Sequence, residues 1–180
     1  MADKIEKSSK PTTTLDTAPA IIKSEEKVEK LLSLDRVVRV VKGGRRFRFR
    51  ATVVVGDKNG QVGLGISKGK DVATAISMAS QRAWRNTMVV DIFDNHTIKH
   101  EIYGKLGSAR VMLKPASQGT GVIAGGAVRS VLEVCGIKDV LTKALGSNNT
   151  LNNALATLDA LRHFKLPDPD PYDFDQKEEA

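Results

Sequence analysis

The sequence is poor in several features, and each shortage excludes a class of protein. It has a single cysteine, Cys135, so no internal disulfide can form, which fits a reducing cytoplasm. No apolar run approaches the length of a membrane span. The first thirty residues contain six acidic residues and no apolar stretch, unlike a secretory signal or an organelle transit peptide. We therefore expect a cytoplasmic protein.

Positive charge, by contrast, is present and concentrated in one segment. The chain carries 28 Lys and Arg against 21 Asp and Glu, a net charge of +7. Residues 31–50 contain seven basic residues and one acidic residue, whereas residues 151–180 contain three basic and seven acidic residues. A local cluster of positive charge is expected where a protein meets a polyanion. The composition therefore favours nucleic-acid binding around residues 31–50 over a basic surface that only aids solubility.

Composition also predicts two domains flanked by tails. Residues 1–22 are rich in Lys, Ser, Thr and Pro, and residues 166–180 are acidic with three prolines; both are predicted to be disordered. The aspartates of the second tail lack the glycine turn and the terminal glutamate of a calcium loop. Between the tails we predict two folded domains, at 23–94 and 95–165.

Hydrophobic periodicity in the first domain predicts a β-β-β-α order. The glycines of Lys42-Gly43-Gly44-Arg45 can take positive φ in a tight turn, and Gly56-Asp57-Lys58-Asn59-Gly60 is a second turn signal. Gly63 and Gly65 indicate a bulge or a close backbone approach. Apolar residues at helical spacing predict an amphipathic helix from Asp71 to Arg85, with Asp71 at its N-cap or in its first turn. Strands are predicted at 32–41, 47–55, 61–67 and, after the helix, 88–92.

The second domain is predicted as a β-α-β-α succession. A strand at 110–115 precedes a glycine-rich loop at 116–126, and a strand follows at 137–145. Two helices have apolar faces at helical spacing, and Gly136 ends the first of them. The residues of these faces are Val128, Val131, Leu132 and Cys135, then Leu151, Ala154, Leu158 and Leu161. We expect Cys135 to be buried and Trp84 to pack at the edge of the first domain.

Alternation along the second strand separates an apolar face from a basic one. One face carries Phe47, Phe49, Ala51, Val53 and Val55, and the other carries Arg46, Arg48 and Arg50. Side chains on one face repeat roughly every 6.6–6.8 Å, close to the spacing of phosphates along a nucleic-acid strand. The planar guanidinium group also matches phosphate oxygens. This row of arginines therefore predicts RNA or DNA binding, with the apolar side anchored to the domain.

A glycine-rich segment leaves a second function class open. Gly119-x-Gly121-x-x-Ala124 nearly matches a dinucleotide-binding fingerprint, and Asp139 lies about 20 residues beyond it. A nucleotide-dependent oxidoreductase is thus the alternative, although the element order is not a run of parallel βαβ units. His96 and His100 with Glu101 lie in a loop and strand region, which argues against a metal site. No catalytic arrangement is visible, so we expect neither an enzyme nor a cofactor.

Two stretches resemble the small-subunit ribosomal protein five family of bacteria. The first is Val41-Lys42-Gly43-Gly44-Arg45-Arg46-Phe47 with the following run Val53-Val54-Val55-Gly56-Asp57-Lys58-Asn59-Gly60-Gln61-Val62-Gly63. The second runs from Ser108-Ala109-Arg110-Val111 through the glycine-rich segment to Arg129, and continues as Gly136-Ile137-Lys138-Asp139-Val140 to Gly146-Ser147-Asn148-Asn149. The resemblance covers roughly residues 25–165.

The resemblance implies an α+β protein of two parts. The N-terminal part is expected to be a variant of the double-stranded RNA-binding fold without its first helix. The C-terminal part is expected to be an α+β sandwich with a left-handed βαβ crossover. The family's long hairpin corresponds to residues 38–46, near the spectinomycin site. Residues 119–129 are expected near the interface with small-subunit protein four.

For function, the resemblance implies a structural constituent of the small ribosomal subunit. Such a protein is expected to bind small-subunit rRNA near the decoding region and the mRNA entry channel, and to support translational accuracy and subunit assembly. Expected partners are that rRNA, small-subunit proteins four and eight, and incoming mRNA. A free regulatory RNA-binding protein is the remaining alternative.

The predicted site residues fall into two groups. The predicted protein interface consists of Gly119, Thr120, Gly121 and Arg129. The predicted RNA-binding residues are Arg36, Arg39, Lys42, Gly43, Gly44, Arg45, Arg46, Arg48, Arg50, Lys68, Lys70, Lys114 and Ser117.

Overall fold

The computed structural model describes residues 27–163, so both predicted tails lie outside the described residues. The described part contains eight strands and three helices. In chain order they are β1 (Val28–Val41), β2 (Gly44–Gly56), β3 (Gln61–Gly69), α1 (Val72–Arg85), β4 (Thr87–Val89), β5 (Ile102–Leu106), β6 (Ala109–Pro115), β7 (Val122–Ile123), α2 (Gly126–Cys135), β8 (Val140–Gly146) and α3 (Thr150–Arg162).

The first sheet is antiparallel with strand order β1-β2-β3-β4. β1 and β2 form a long hairpin in which Val41 pairs with Gly44 across a two-residue turn. Of the two glycines at this turn, only Gly44 uses positive φ, at +131°. β1 begins four residues earlier than predicted, and its register shifts between Leu31 and Ser33. The predicted three strands and helix are therefore confirmed, with a longer first strand.

Helix α1 lies against one face of this sheet, and two glycines permit the close contact. A Cβ atom added to Gly63 would lie 2.4 Å from the carbonyl oxygen of Ala83, and one added to Gly65 would lie 2.1 Å from that of Ala79. The predicted close backbone approach is thus confirmed. Asp71 occupies the N-cap position, but its side chain makes no capping hydrogen bond.

The second sheet is mixed, with strand order β5-β6-β8-β7. β7 and β8 pair in parallel on either side of α2, so β7-α2-β8 is a βαβ unit. β7 lies within the predicted glycine-rich loop, and no strand was predicted over the residues of β5, because each strand is short and carries little alternation. Gly136 ends α2 with φ of +100°, as predicted. Asn149 caps α3, and its side chain accepts a hydrogen bond from the Leu151 amide at 3.0 Å.

The largest hydrophobic core is shared by the two halves of the chain. Val54, Val62 and Leu64 of the first sheet pack in one cluster with residues of α2, α3 and the second sheet. A smaller core lies on the other face of the first sheet, where α1 covers the odd-numbered residues of β2. The layers therefore run α1, first sheet, α2 with α3, second sheet.

The turn between β2 and β3 joins the two halves through backbone hydrogen bonds. The amides of Lys58 and Gly60 donate to the carbonyl oxygens of Val134 and Cys135 at 3.1 and 2.9 Å. These are C-terminal carbonyls of α2, which have no partner within the helix. A Cβ atom added to Gly136 would lie 2.1 Å from the Lys58 carbonyl oxygen. The turn thus caps α2 at close range.

Two single residues lie as predicted. Cys135 is fully buried, and burial, with a smaller contribution from Asp57, raises the pKa of its thiol to about 12. Trp84 packs beside the smaller core, and its indole nitrogen donates to Glu29 at 3.2 Å. Among residues 27–163, no helix is long and apolar enough to cross a membrane.

Candidate RNA-binding surface

Basic side chains from three strands meet on one face of the hairpin. Cross-strand partners share a face, and Arg39 pairs with Arg46 while Val37 pairs with Arg48. Lys68 reaches the same face from β3, where it pairs with Arg50. Together they line a groove of about 310 Å³ that we call the arginine groove; its residues are Val37, Arg39, Arg46, Arg48 and Lys68. The predicted row of arginines is therefore one side of a wider basic groove.

Arg50, predicted to bind RNA, is already engaged within the protein. Its Nη2 and Nε atoms donate to Oδ2 of Asp35, the opposite residue on β1, at 2.7 and 3.2 Å. Both side chains are a little under half exposed. The guanidinium of Arg50 is thus partly neutralised, whereas Arg46 and Arg48 form no ion pair with any residue of the described range 27–163. Sequence alternation placed Arg50 correctly, but it carried no information on which acid lies opposite.

Arg36 and Arg45, also predicted RNA-binding residues, lie on the opposite face of the hairpin. The guanidinium of Arg36 stacks over the ring of Phe47, 3.8 Å from its centroid. Phe47 is 44% exposed, and Val38, its partner across the hairpin, is 45% exposed. The expectation that the whole apolar side is anchored to the domain is therefore wrong at this end. Anchoring begins only at Phe49 and Ala51, where the smaller core starts.

The hairpin tip is open to solvent. Lys42, Gly43 and Gly44 are all exposed, and a Cβ atom added to either glycine would meet nothing within 4 Å. Lys70 is exposed just before α1, whose first turn contains no acidic residue. An extended ligand can approach the tip without steric obstruction from the described residues.

A second cavity adjoins the groove and was missed by sequence reasoning. Asn148, Asn149 and Thr150, at the N-terminus of α3, line it together with Asp35 and Arg50. In the sequence these residues carry only a turn signal. Arg50 and Asn148 are 98 positions apart in the sequence, so only packing between the two halves of the chain brings these residues beside the hairpin.

Lys114 and Ser117, the last predicted RNA-binding residues, do not line the arginine groove. Lys114 lies on β6 with its ammonium 3.9 Å from a carboxylate oxygen of Glu101. Ser117 lies beyond β6, where its hydroxyl is 3.2 Å from that of Thr120. The structure therefore separates these two residues from the rest of the predicted site.

The glycine-rich loop is folded around Asp139. Oδ1 of this buried carboxylate accepts hydrogen bonds from the amides of Gly119 and Gly121 at 3.0 and 2.8 Å. Both glycines have positive φ, +89° and +77°. In a dinucleotide site such amides face a pyrophosphate, whereas here an internal carboxylate accepts from them. The loop geometry therefore does not favour the nucleotide-binding alternative.

The remaining predicted interface residues lie on the loop or beside it. The hydroxyl of Thr120 donates to the carbonyl oxygen of Ser117 at 2.8 Å. Arg129 donates to the carbonyl oxygen of Val122 at 2.9 Å, which ties α2 to β7. Within residues 27–163 no three potential metal ligands come together, and His96 Nδ1 lies 3.1 Å from the Asp94 carbonyl oxygen.

Two family models match the chain and together span most of it. Residues 28–91 match the model described as ribosomal protein S5, N-terminal domain. Residues 104–172 match the model described as ribosomal protein S5, C-terminal domain. That family is structural rather than enzymatic, and its members associate with the ribosome and its RNA. The chain therefore belongs to the ribosomal protein S5 family, RNA-binding structural constituents of the small ribosomal subunit that take part in translation.

Proposed function

We propose that the protein binds small-subunit rRNA through the arginine groove and the hairpin tip. The observation that carries this proposal is the meeting of Arg39, Arg46, Arg48 and Lys68 on one exposed face. Like charges this close repel one another in the absence of a counter-ion. A phosphate backbone supplies that counter-charge along the whole groove, and its release of bound cations drives association.

The hairpin shape suits a structured RNA target. The half of β2 from Gly44 to Arg48 is exposed, whereas residues 51–56 are buried on both faces. The open tip at Gly43 and Gly44 allows the backbone to come close to an RNA surface. Within this proposal the rRNA contacted lies near the decoding region and the mRNA entry channel of a cytoplasmic ribosome, and the protein supports translational accuracy and subunit assembly.

The proposed protein partners are small-subunit proteins four and eight, and incoming mRNA at the entry channel is a further proposed partner. We propose the segment 119–129 as the contact with protein four. Gly119 and Gly121 hold the loop in a fixed shape around Asp139, and Thr120 is exposed between them. A photo-cross-linking residue at position 120 is expected to capture protein four in assembled subunits. Capture of rRNA alone would contradict this assignment.

The salt dependence of RNA binding tests the groove. For the double variant Arg46→Gln/Arg48→Gln, the slope of log affinity against log salt for a structured rRNA fragment is expected to fall by about 1.4–1.8, since each lost phosphate contact removes roughly 0.7–0.9. The matched control is Arg85→Gln/Arg162→Gln, which removes the same charge from a cavity between α1 and α3. An unchanged slope in the groove variant, or an equal fall in the control, would contradict the proposal.

Translational accuracy is tested in cells. Strains whose only copy carries Arg46→Gln/Arg48→Gln are expected to read through stop codons or misread near-cognate codons more often than strains carrying the control variant. Whether each variant sediments with small subunits is measured in parallel, because a variant that is missing from the subunits has a defect in assembly rather than in accuracy. A normal error rate with normal sedimentation would argue against a role of the groove in decoding.

A further inference from the structure

The second sheet has an open face that the proposed function does not use. α3 covers the face that carries Gly104, where a Cβ atom would lie 2.0 Å from the carbonyl oxygen of Ala156. The alternate side chains along these strands point away from the helices and are exposed or half-buried. We call this surface the open sheet face; its central residues are Tyr103, Lys105, Arg110, Met112, Lys143 and Leu145.

The strand register arranges these residues in two neighbouring rows. Tyr103 pairs with Met112, which pairs with Lys143. In the next row Lys105 pairs with Arg110, which pairs with Leu145. Cross-strand neighbours lie about 4.5–5.5 Å apart, and rows lie roughly 6.6–6.8 Å apart. Each row thus places cationic and apolar side chains within the dimensions of one or two nucleotides.

Tyr103 supplies an accessible aromatic ring at the edge of this face. Its side chain is among the most exposed apolar groups of the described chain, at 61%. The phenolic hydroxyl donates to Glu101 at 2.7 Å, and this hydrogen bond, with the charge of Glu101, raises the pKa of Tyr103. The hydrogen bond restrains the ring, which lowers the entropy lost when a base stacks on it.

Among residues 27–163, a single acidic side chain lies beside the basic residues of the open sheet face. Glu101 is the acidic residue beside Tyr103, and its other neighbour is Lys114 at 3.9 Å. Lys105, Arg110 and Lys143 form no ion pair with residues 27–163. A surface of this kind, with helices on one side of a sheet and an aromatic and cations on the other, fits stacked bases and their phosphates.

We propose that the open sheet face is a second RNA-binding surface, which takes single-stranded RNA. A base stacks on Tyr103 and another lies against the planar guanidinium of Arg110, while Lys105 and Lys143 bind the flanking phosphates. The inference rests on the RNA-binding function proposed above but uses a different surface and a different form of RNA.

Fluorescence anisotropy with the full chain and a labelled single-stranded RNA of roughly ten nucleotides tests the proposal. Tyr103→Ala is expected to weaken binding about five- to 100-fold, the effect of losing one stacking platform. Tyr103→Phe keeps the ring and removes only the hydroxyl, so its affinity is expected to stay within about twofold of the parent. Lys143→Gln is expected to lower the salt slope by about 0.7.

The two RNA surfaces are distinguished by their variants. Arg46→Gln/Arg48→Gln is expected to weaken binding of structured RNA and leave the single-stranded RNA affinity nearly unchanged, and Tyr103→Ala is expected to do the reverse. Parental single-stranded RNA affinity in both Tyr103→Ala and Lys143→Gln would overturn the inference. The inference would also be overturned if Tyr103→Ala kept its affinity for single-stranded RNA but no longer captured a small-subunit protein. Either result leaves the groove proposal standing.

Discussion

The two sheets of this protein differ in how many of their faces are covered. The first sheet is buried on both sides over residues 51–56, by α1 on one side and by α2 with α3 on the other. Within the described residues 27–163, the second sheet is covered on one side only. Because the first sheet has no free face, its ligand contacts lie where β1 and β2 extend beyond the covered region. The second sheet keeps a whole face available.

This difference explains why the two halves present charge in different forms. On the hairpin, side chains from both strands converge on a narrow groove, which suits a phosphate backbone. On the second sheet, cations surround apolar side chains, which suits unstacked bases. The shared core fixes the two surfaces relative to one another, and several substitutions test how firmly it does so.

The strongest test is a cavity in the shared core. Leu132→Ala, at a fully buried position of α2, is expected to lower the free energy of unfolding by about 2–5 kcal/mol. Because α2 packs against both sheets, Trp84 fluorescence, which reports on the first sheet, and circular dichroism are expected to shift to the same lower urea midpoint. A Trp84 transition that stays at the parental midpoint would show that the two halves unfold separately.

Gly136→Ala tests the close contact between the β2–β3 turn and α2. The added methyl group would collide with the Lys58 carbonyl oxygen, and φ of +100° strains any side chain there. We expect a loss of about 2–3 kcal/mol in urea unfolding. Gly119→Ala is the matched control, since it also has positive φ but open space around it, and about 1 kcal/mol is expected. Equal losses would mean that the contact contributes nothing beyond backbone strain.

Cys135 tests the shared core through pH. Its pKa is about 12 in the folded protein against 9.0 for the free group, so the folded state holds the proton more tightly. Stability from this group is therefore complete below about pH 9 and declines as the pH rises toward 12. The free energy of unfolding is therefore expected to be lower at pH 10 than at pH 8 by about 1 kcal/mol because of this thiol.

The control for Cys135 is Cys135→Ala, whose stability is expected to fall less between pH 8 and pH 10 in parallel urea titrations. Iodoacetamide at pH 8 is expected to label Cys135 only after unfolding, because the folded thiol is buried and protonated. Rapid labelling of the folded protein would contradict the burial that both sheets impose.

The smallest effect is expected outside the shared core, at the Asp35–Arg50 ion pair. Both groups are a little under half exposed, so Asp35→Asn is expected to change stability by less than about 1 kcal/mol. It releases Arg50 toward the groove, so structured RNA affinity and its salt slope are expected to rise. Ser33→Asn, on the same strand and lining the same cavity, is the control. Unchanged RNA affinity in Asp35→Asn would place Arg50 outside the RNA contact.

Secondary structure was predictable where it depends on residues that are neighbours in the sequence. The turn at 42–45, the α2 stop at Gly136 and the amphipathic α1 all follow from neighbouring residues, and the structure confirms them. β5 and β7 were not predicted, because β7 has only two residues and depends on pairing with β8. For the site, alternation identified Arg46 and Arg48, but nothing local indicated that Lys68 joins them or that Asp35 neutralises Arg50.

The sequence by itself determined the helices, the longer strands, the basic hairpin and the family, because these depend on periodicity, turn residues and runs of contiguous motif. Only the tertiary structure decided which faces are free. It buried one half of β2 on both sides, left Phe47 exposed beneath Arg36, and turned Asp139 onto the glycine loop. Those outcomes depend on contacts between residues far apart in the chain, which no local pattern encodes.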